Sequence, residues 1–345
     1  MIQLKISDEI LAKHEEFVFG TNSQKEGRIY QKIINAYQNE YDRYARNVYR
    51  FILNKFKDIV LGNIQTLTQL KKIFSYLVNS IPNSKVREKL VEDLKIFHDE
   101  YKYFYKAVKW NAYLYQKALG INICPYCATQ FIFVYESDNG NTRGTLDHFI
   151  DKAKYPIFSI SIFNLIPSCK VCNSDFKGSK EANIRDNYTP FEENIIEYIT
   201  FKREVIHSQE EEISPSTVIN IKKEYKDEID YVSMFLGMNE DFNIKIDYST
   251  APKDIARKIE GNIELFHIEE IYNAYHKNYI QDSIRKAYIY NHTYRTQLLN
   301  SFNNFFQSEE ELKLAIMPSV EDDRKNVLGK LTRDIVYQET KGFTL

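Results

Sequence analysis

The four cysteines of this chain stand in two closely spaced pairs. One pair is Cys124 and Cys127, the other is Cys169 and Cys172, and each pair encloses two residues. Four thiolates with this spacing can surround one ion in the tetrahedral geometry of a closed structural zinc site. No cysteine lies outside the two pairs, so a chance collection of buried cysteines is the poorer explanation. The sequence therefore predicts a structural zinc that joins two segments distant along the chain.

Composition and length favour a soluble, largely helical protein of two or three domains. The chain has 345 residues, of which 43% are hydrophobic and only 11 are glycine. Scarce glycine argues against a glycine-rich nucleotide-binding sheet. The N-terminus lacks a basic segment followed by an apolar run, and no apolar run is long enough to span a membrane. We therefore expect a cytoplasmic protein without a membrane partner, and in that compartment paired cysteines are more often metal ligands than disulfides.

Helical periodicity covers most of the chain on both sides of the cysteines. Apolar residues recur there at spacings of three and four, which is typical of amphipathic helices. Gly120 is expected to end one of these helices, because glycine is favoured just past a helix C-terminus. The predicted helices span residues 27–60, 67–78, 84–119 and 254–306, and residues 326–338 are either a short helix or a docking tail.

Between and after the cysteine pairs the pattern changes to short strands and loops. Asn139-Gly140 predicts a hairpin turn between two strands, and a short helix should carry Cys172 and Asn173. The predicted strands are 129–135, 143–149, 198–206 and 213–222, the predicted loops are 155–167 and an acidic 209–212, and the short helix is 170–177.

Together these patterns predict an α+β fold that is predominantly helical. We expect three regions: a helical region over residues 1–120, a zinc-braced finger over 121–190, and a mixed, mostly helical region over 191–345.

Polar residues with metal-binding and acid–base chemistry lie beside the cysteines. Asp147 and Asn173 offer oxygen ligands, which suit a hard ion such as magnesium or manganese. His148 is then free of the metal and can accept a proton from an attacking water, with Asn164 holding its ring through a hydrogen bond. Adjacent strand residues point to opposite faces, so Asp147 and His148 can act together only if the strand ends or bulges there.

The stretch from Cys124 to Ser179 resembles the HNH endonucleases, in the variant whose ββα-metal finger is braced by a four-cysteine zinc. In that family the first motif histidine is the general base, the middle asparagine orients it, and the last motif residue joins the preceding acidic residue on the catalytic metal. The resemblance implies these roles for His148, Asn164, Asn173 and Asp147. Because the last motif residue is asparagine here, the motif would be of the H-N-N form, which favours magnesium-type ions. The segments that carry it are Leu146-Asp147-His148, Asn164-Leu165-Ile166-Pro167, Cys169-Lys170-Val171-Cys172-Asn173 and Lys177-Gly178, and they cover about one sixth of the chain.

Lysines surround the predicted site, although the whole chain is slightly acidic. They are candidate contacts for nucleic-acid phosphates, or else an ordinary solvated charged face. The net charge is −2, whereas a protein that binds nucleic acid non-specifically usually has a basic surplus. Attraction to phosphate must therefore be local or be supplied by a partner. The lysines are Lys152, Lys154, Lys170, Lys177 and Lys180.

These inferences favour a metal-dependent enzyme that hydrolyses phosphodiester bonds, with DNA as the preferred substrate. Two alternatives stay open: an effector that cleaves RNA such as tRNA, and a non-catalytic zinc module that scaffolds a partner or binds nucleic acid. Stretches 263–266, 275–277 and 331–334 resemble bacterial HNH proteins encoded beside ATPases in anti-phage systems of the Septu or retron-associated kind. That resemblance implies a protein partner such as a co-encoded ATPase.

Overall fold

The structure is a computed structural model that describes residues 1–20, 27–205, 231–302, 305–306, 308, 311–312 and 318–341. The predicted strand 213–222 and acidic loop 209–212 lie outside the described residues. Within the described part of the chain, no helix has both the length and the apolar character needed to cross a membrane. The chain forms two units: Met1–Ile196 with Ala251–Phe266 and Arg324–Val327, and Glu197–Thr250 with His267–Asp323 and Leu328–Leu345.

The first unit begins with a series of helices whose starts are fixed by capping side chains. Ser7, Asp42, Asn63, Asn83 and Asn111 each accept hydrogen bonds from backbone N–H groups of the following turn, which otherwise lack partners. The helices are α1 (Asp8–Phe19), α2 (Arg28–Asn39), α3 (Arg43–Asn54), α4 (Phe56–Leu61), α5 (Ile64–Asn79), α6 (Ser84–Asp93), α7 (Ile96–Phe104) and α8 (Ala112–Leu119).

Three long helices predicted from periodicity are divided in the structure. The predicted helix 254–306 forms four separate helices, Lys253–Leu265, Ile268–Tyr275, Lys277–Ile289 and His292–Ser301. The predicted helix 27–60 is split into α2, α3 and α4, with the Asp42 cap starting a new helix. The predicted helix 84–119 is split into α6, α7 and α8, and the Asn111 cap starts the last of these. The predicted end at Gly120 is confirmed, since this residue has φ +63° and its N–H bonds the Lys117 carbonyl.

A buried histidine ties α1 to the loop that later forms part of the candidate site. His14 Nε2 lies 2.8 Å from the Ile160 carbonyl oxygen, and Trp110 Nε1 donates to His14 Nδ1 at 3.3 Å. A carbonyl only accepts, so Nε2 carries the proton and the ring is neutral. Burial lowers the pKa of His14 from 6.5 to about 4. Charging this ring therefore opposes folding.

We expect His14 to make the protein less stable as the pH falls from about 6.5 to 4. In that window the unfolded chain takes up a proton that the folded protein does not bind, so stability is lost on acidification. Between pH 7 and pH 5 the wild type should lose about 2 kcal/mol more unfolding free energy than His14→Gln, which keeps a donor for the Ile160 carbonyl. Urea titrations of both proteins at the two pH values measure this difference. Equal losses would show that His14 does not titrate as its burial implies.

Two pairs of antiparallel strands and a helix follow the first cysteine pair. β1 (Tyr135–Ser137) and β2 (Gly140–Thr142) form a hairpin at the predicted turn. The predicted strand 129–135 is wrong, since only its last residue lies in a strand. β3 (Thr145–His148) pairs with β4 (Leu165–Ser168), which the sequence analysis had assigned to a loop. Residues Val171–Lys177 form a π-helical segment, here called the site helix, at the predicted position. The order along the chain is thus strand, strand, helix.

The second unit is built on a two-stranded antiparallel sheet, β5 (Thr200–Val205) and β6 (Phe242–Asp247). Phe201 stacks on Tyr272 with ring centroids 5.2 Å apart, and Arg203 forms a buried 2.7 Å ion pair with Glu339. The helices after β5 are α9 (Tyr231–Phe235), α10 (Lys253–Leu265), α11 (Ile268–Tyr275), α12 (Lys277–Ile289), α13 (His292–Ser301) and α14 (Gly329–Lys341), of which α10 belongs to the first unit.

The described part of the chain is mostly helical with small antiparallel sheets, which agrees with the predicted α+β class. The first unit contains both the predicted helical region 1–120 and the predicted finger 121–190. Contacts such as Tyr115 Oη to the Leu165 carbonyl, at 2.8 Å, join these two regions in one core. The predicted region 191–345 is divided between the two units.

Candidate metal and active site

The four cysteines converge at the centre of the first unit. Their Sγ atoms all lie within 4.8 Å of one another, and all four side chains are buried. Tetrahedral zinc–sulfur bonds of about 2.3 Å place sulfurs about 3.8 Å apart, and Cys127 and Cys169 are already at 4.0 Å. The cluster could therefore hold a zinc ion after a contraction of about 1 Å at most.

Each cysteine pair lies on a tight turn that aims both sulfurs at one point. After the first pair, the Ala128 N–H bonds the Cys124 carbonyl at 2.8 Å, and Ala128 adopts φ +56° to make the turn. In the second pair, the Cys172 N–H donates to Cys169 Sγ at 3.3 Å. Thr129 Oγ1 donates to Cys127 Sγ at 3.2 Å. Donors of this kind stabilise sulfur as thiolate, the form that binds metal.

A cavity of about 380 Å³ lies beside the cysteine cluster and is lined by three of the four predicted catalytic and magnesium-binding residues. Asp147, His148 and Asn173 all line it. β3 ends at His148, so the alternation of a regular strand stops there and the two neighbouring side chains reach the same cavity. The lining residues are Leu146, Asp147, His148, Phe149, Asp151, Lys152, Asn173, Ser174, Lys177, Gly178, Ser179 and Lys180.

The His148 ring is held in one tautomer. Its Nε2 lies 3.0 Å from the Ser159 carbonyl oxygen, so Nε2 carries the proton and Nδ1 carries the lone pair. The ring packs edge-on against Tyr101 with centroids 4.6 Å apart. Burial, followed by the positive charge of Lys152, lowers the pKa of His148 well below its usual range. The imidazole is therefore neutral at physiological pH and can accept a proton at Nδ1.

Asn164 does not make the predicted hydrogen bond with the His148 ring. Its fully buried amide bonds the backbone instead: Oδ1 accepts from Ile150 N at 2.7 Å, and Nδ2 donates to the carbonyls of Ile150 and Phe158 at 3.0 Å. These bonds fix the loop whose next carbonyl, that of Ser159, holds His148. Asn164 thus positions the histidine indirectly, because the backbone already uses its amide.

The Asp147 carboxylate is buried and engaged on both oxygens. Tyr126 Oη donates to Oδ2 at 2.7 Å. Lys177 Nζ lies 2.6 Å from Oδ1 and 2.9 Å from Oδ2, and it also donates to the His148 carbonyl at 2.6 Å. Tyr126 stands between the first two cysteines and stacks on Phe266 at 4.2 Å. The turn that carries the cysteines therefore also orients this carboxylate.

Asn173 supplies an oxygen on the other side of the cavity. Its Nδ2 donates to Thr145 Oγ1 at 3.0 Å, which orients the amide. Among the described residues, no group donates a hydrogen bond to Asn173 Oδ1. A carboxylate and an amide oxygen on one cavity form a donor set that fits a hard divalent cation. A cation held there would compete with the Lys177 ammonium for the Asp147 oxygens.

The five lysines proposed to contact phosphate lie in different surroundings. Lys177 is buried, with 4% of its surface exposed, and its ammonium faces Asp147 rather than solvent. Lys152 lines the cavity with Nζ 4.6 Å above the Tyr101 ring, and burial lowers its pKa. Lys180 lines the cavity and is exposed. Lys170 is exposed at the N-cap of the site helix, and Lys154 pairs with Glu181 at 3.1 Å.

Three site residues were not found by sequence reasoning: Tyr126, Ser159 and Tyr101. The position of Tyr126 between two cysteines indicates that it lies near the site. The sequence does not indicate, however, that its hydroxyl donates to Asp147. Ser159 contributes only its backbone carbonyl, for which a sequence carries no indication. Tyr101 belongs to the apolar stripe of α7, and its contact with His148 depends on how that helix packs.

Comparisons with known proteins add little to this picture. No protein-family model matches the chain, and no solved structure matches it. A segment of 55 residues is 42% identical to Protein ea31 of Escherichia phage lambda, which is 16% of this chain and 15% of that protein. The class that the fold and the site define is therefore a mostly helical α+β protein with a buried four-cysteine cluster that could hold a metal ion.

Proposed function

We propose that this protein is a metal-dependent endonuclease of the HNH type, which hydrolyses phosphodiester bonds in DNA. The observation that carries the proposal is the cavity beside the cysteine cluster. It brings together a neutral histidine whose lone pair is on Nδ1, a carboxylate and an amide oxygen, on a strand–strand–helix unit. These are the groups needed to deprotonate water and to place a cation beside a phosphate.

Each residue of the cavity has a distinct role in this proposal. His148 takes a proton from the attacking water at Nδ1, while the Ser159 carbonyl keeps Nε2 protonated and the ring fixed. Asn164 holds the loop that presents this carbonyl. Asp147 and Asn173 would hold magnesium or manganese, and that ion would supply stabilisation of negative charge on the phosphate. The resemblance to HNH enzymes implies products with 5′-phosphate and 3′-hydroxyl ends.

Local positive charge supports binding of a phosphate at this cavity in spite of the acidic chain. Three lysines line the cavity, Lys152, Lys177 and Lys180, against the two aspartates Asp147 and Asp151. Of these lysines, Lys180 is exposed and Lys152 is half-buried, so both remain able to face a ligand. A divalent cation on Asp147 would add further positive charge.

Incubation of the zinc-loaded protein with supercoiled plasmid and with RNA, each with Mg²⁺ or Mn²⁺, tests the proposal. We expect nicked or linear plasmid, no product in EDTA, and loss of product in Asp147→Asn, which removes the charge at nearly constant shape. Cleavage of RNA alone would favour the alternative of an RNA-directed effector. Absence of product from both substrates, with either metal, would favour a non-catalytic zinc module.

We further propose that this activity serves bacterial anti-phage defence and is controlled by a partner such as a co-encoded ATPase. The supporting argument is the net charge of −2, which gives little long-range attraction to a polyanion. We expect the lone chain to cleave plasmid weakly at physiological salt, and the chain with its partner to cleave faster. Cleavage assays with and without the partner, together with co-purification, measure this. Strong degradation by the lone chain at physiological salt would contradict partner control.

A further inference from the structure

The Lys177 ammonium contacts both oxygens of Asp147, the carboxylate that is proposed to bind the metal. The ammonium has three N–H donors, and three acceptors surround it: both oxygens of Asp147 and the carbonyl of His148, all within 2.9 Å. Both side chains are almost fully buried, with 5% of the lysine and 3% of the aspartate side chain exposed. The pair is therefore a built feature of the cavity and not a surface ion pair.

The same short helix presents both a candidate metal ligand and this lysine. Asn173 and Lys177 are four residues apart on the site helix, and both line the cavity with Asp147. Gly178 follows with φ +50° and ends the helix, so the Lys177 side chain is anchored at its last residue. The ammonium and a cation held by Asp147 and Asn173 would both need the Asp147 oxygens.

Two cations cannot share one buried carboxylate without strong mutual repulsion. Oxygen–metal distances for hard divalent ions are about 2.0–2.6 Å, and the ammonium already lies within 2.9 Å of both carboxylate oxygens. The interior screens such repulsion poorly. In the metal-free protein, an unpaired buried carboxylate at Asp147 would destabilise the fold through its desolvation penalty. The ion pair with Lys177 offsets this penalty.

We infer that Lys177 is an internal cation that neutralises Asp147 in the metal-free protein and is displaced when a divalent metal binds there. The inference rests on the proposed function for the existence of the metal site. Lys177 would set the metal concentration at which the site fills. Once released, its ammonium would point into the cavity, where it could pair with a phosphate oxygen. Lys177 is thus a positioning residue for Asp147, and this role differs from the surface phosphate contact that its sequence position indicated.

Direct metal binding tests this role without any measurement of activity. Mn²⁺ affinity is measured by electron paramagnetic resonance on the zinc-loaded wild type, Lys177→Gln, Lys170→Gln and Asp147→Asn. We expect Lys177→Gln to bind Mn²⁺ roughly tenfold more tightly or better, because the competing charge is gone. Lys170→Gln removes the same charge from an exposed residue of the same helix and should change the affinity little. Asp147→Asn should lose the site.

The four proteins separate failure of the inference from failure of the proposed function. If Asp147→Asn binds Mn²⁺ as the wild type does, the proposed metal site is wrong. If Asp147→Asn loses binding while Lys177→Gln and Lys170→Gln match the wild type, the metal site stands and the displacement of Lys177 is wrong.

A second measurement on the wild type covers the possibility that Lys177→Gln does not fold. Reductive methylation followed by mass spectrometry reports how accessible each lysine amine is. We expect Lys177 to be protected in the zinc-loaded protein without Mg²⁺ and to be modified several-fold faster with saturating Mg²⁺, while exposed Lys170 changes little. An unchanged rate at Lys177 in saturating Mg²⁺ would overturn the inference.

Discussion

Replacing His148 with alanine is expected to reduce phosphodiester hydrolysis by roughly 10²–10⁴-fold, the usual contribution of a general base. The reason is chemical: Nδ1 is the atom of His148 that can take the proton, since Nε2 is committed to the Ser159 carbonyl. Plasmid nicking under single-turnover conditions measures the loss. Zinc content should remain at the wild-type level, because His148 is not one of the four clustered sulfur ligands.

A matched variant separates catalysis from structure at this position. Alanine leaves the Ser159 carbonyl without its donor, and an unsatisfied buried group costs about 1–3 kcal/mol. His148→Gln retains an N–H that can reach this carbonyl, but its amide oxygen is too weak a base to accept a proton near neutral pH. We therefore expect His148→Gln to be as inactive as His148→Ala and to unfold closer to the wild type. Wild-type cleavage rates in either variant would show that the base has been assigned wrongly.

Removal of zinc from the four-cysteine cluster is expected to unfold the surrounding region of the first unit. Structural zinc sites of this kind contribute about 10–16 kcal/mol of apparent binding free energy at neutral pH. Whole domains are stable by only about 5–15 kcal/mol. Metal analysis should find about one tightly bound zinc per chain, and Cys169→Ser should lose both the zinc and the cooperative thermal transition of this region. Purified protein that is folded, free of zinc and titrates as four free thiols would contradict a structural zinc.

A milder variant at the four-cysteine cluster tests whether the loss of stability in Cys169→Ser comes from the missing zinc ligand. Thr129→Val removes the hydroxyl that donates to Cys127 Sγ and leaves all four sulfurs in place. One hydrogen bond is worth about 1 kcal/mol, so this variant should keep its zinc and melt only slightly below the wild type. If Thr129→Val and Cys169→Ser were equally damaging, general disruption of the turn would explain both.

Much of the local structure could be predicted because its causes are local. The end of α8 at Gly120 and the hairpin turn at Asp138-Asn139 follow from the preferences of residues within the turns themselves. Breaks within long periodic stretches could not be found by periodicity alone. Residues such as Asp42 and Asn111 cap a helix only when the preceding residues turn away, and packing decides that. β4 was missed for a similar reason, since its pairing partner β3 lies about twenty residues earlier in the chain.

For the candidate site, the sequence predicted which residues take part, whereas their hydrogen-bond partners became known only from the fold. The spacing of the four cysteines was sufficient to predict their convergence, and the cluster confirms it. The positions of Asp147, His148 and Asn173 indicated a common site, and all three line one cavity. The partner of the His148 ring differed from the prediction, because Asn164 bonds backbone and the Ser159 carbonyl holds the ring.

The sequence by itself determined the chemistry that is available: sulfur ligands at metal-binding spacing, oxygen ligands beside them, and one histidine between the pairs. Tertiary structure alone decided how each group is charged and held. Lys177 shows the difference most clearly, because a lysine four residues after Asn173 reads as a surface cation, yet it is buried against Asp147, thirty residues away. The physical reason is that propensity and spacing act over a few residues. Burial and electrostatic pairing depend on distances in space, which arise only when the helices and the strands pack together.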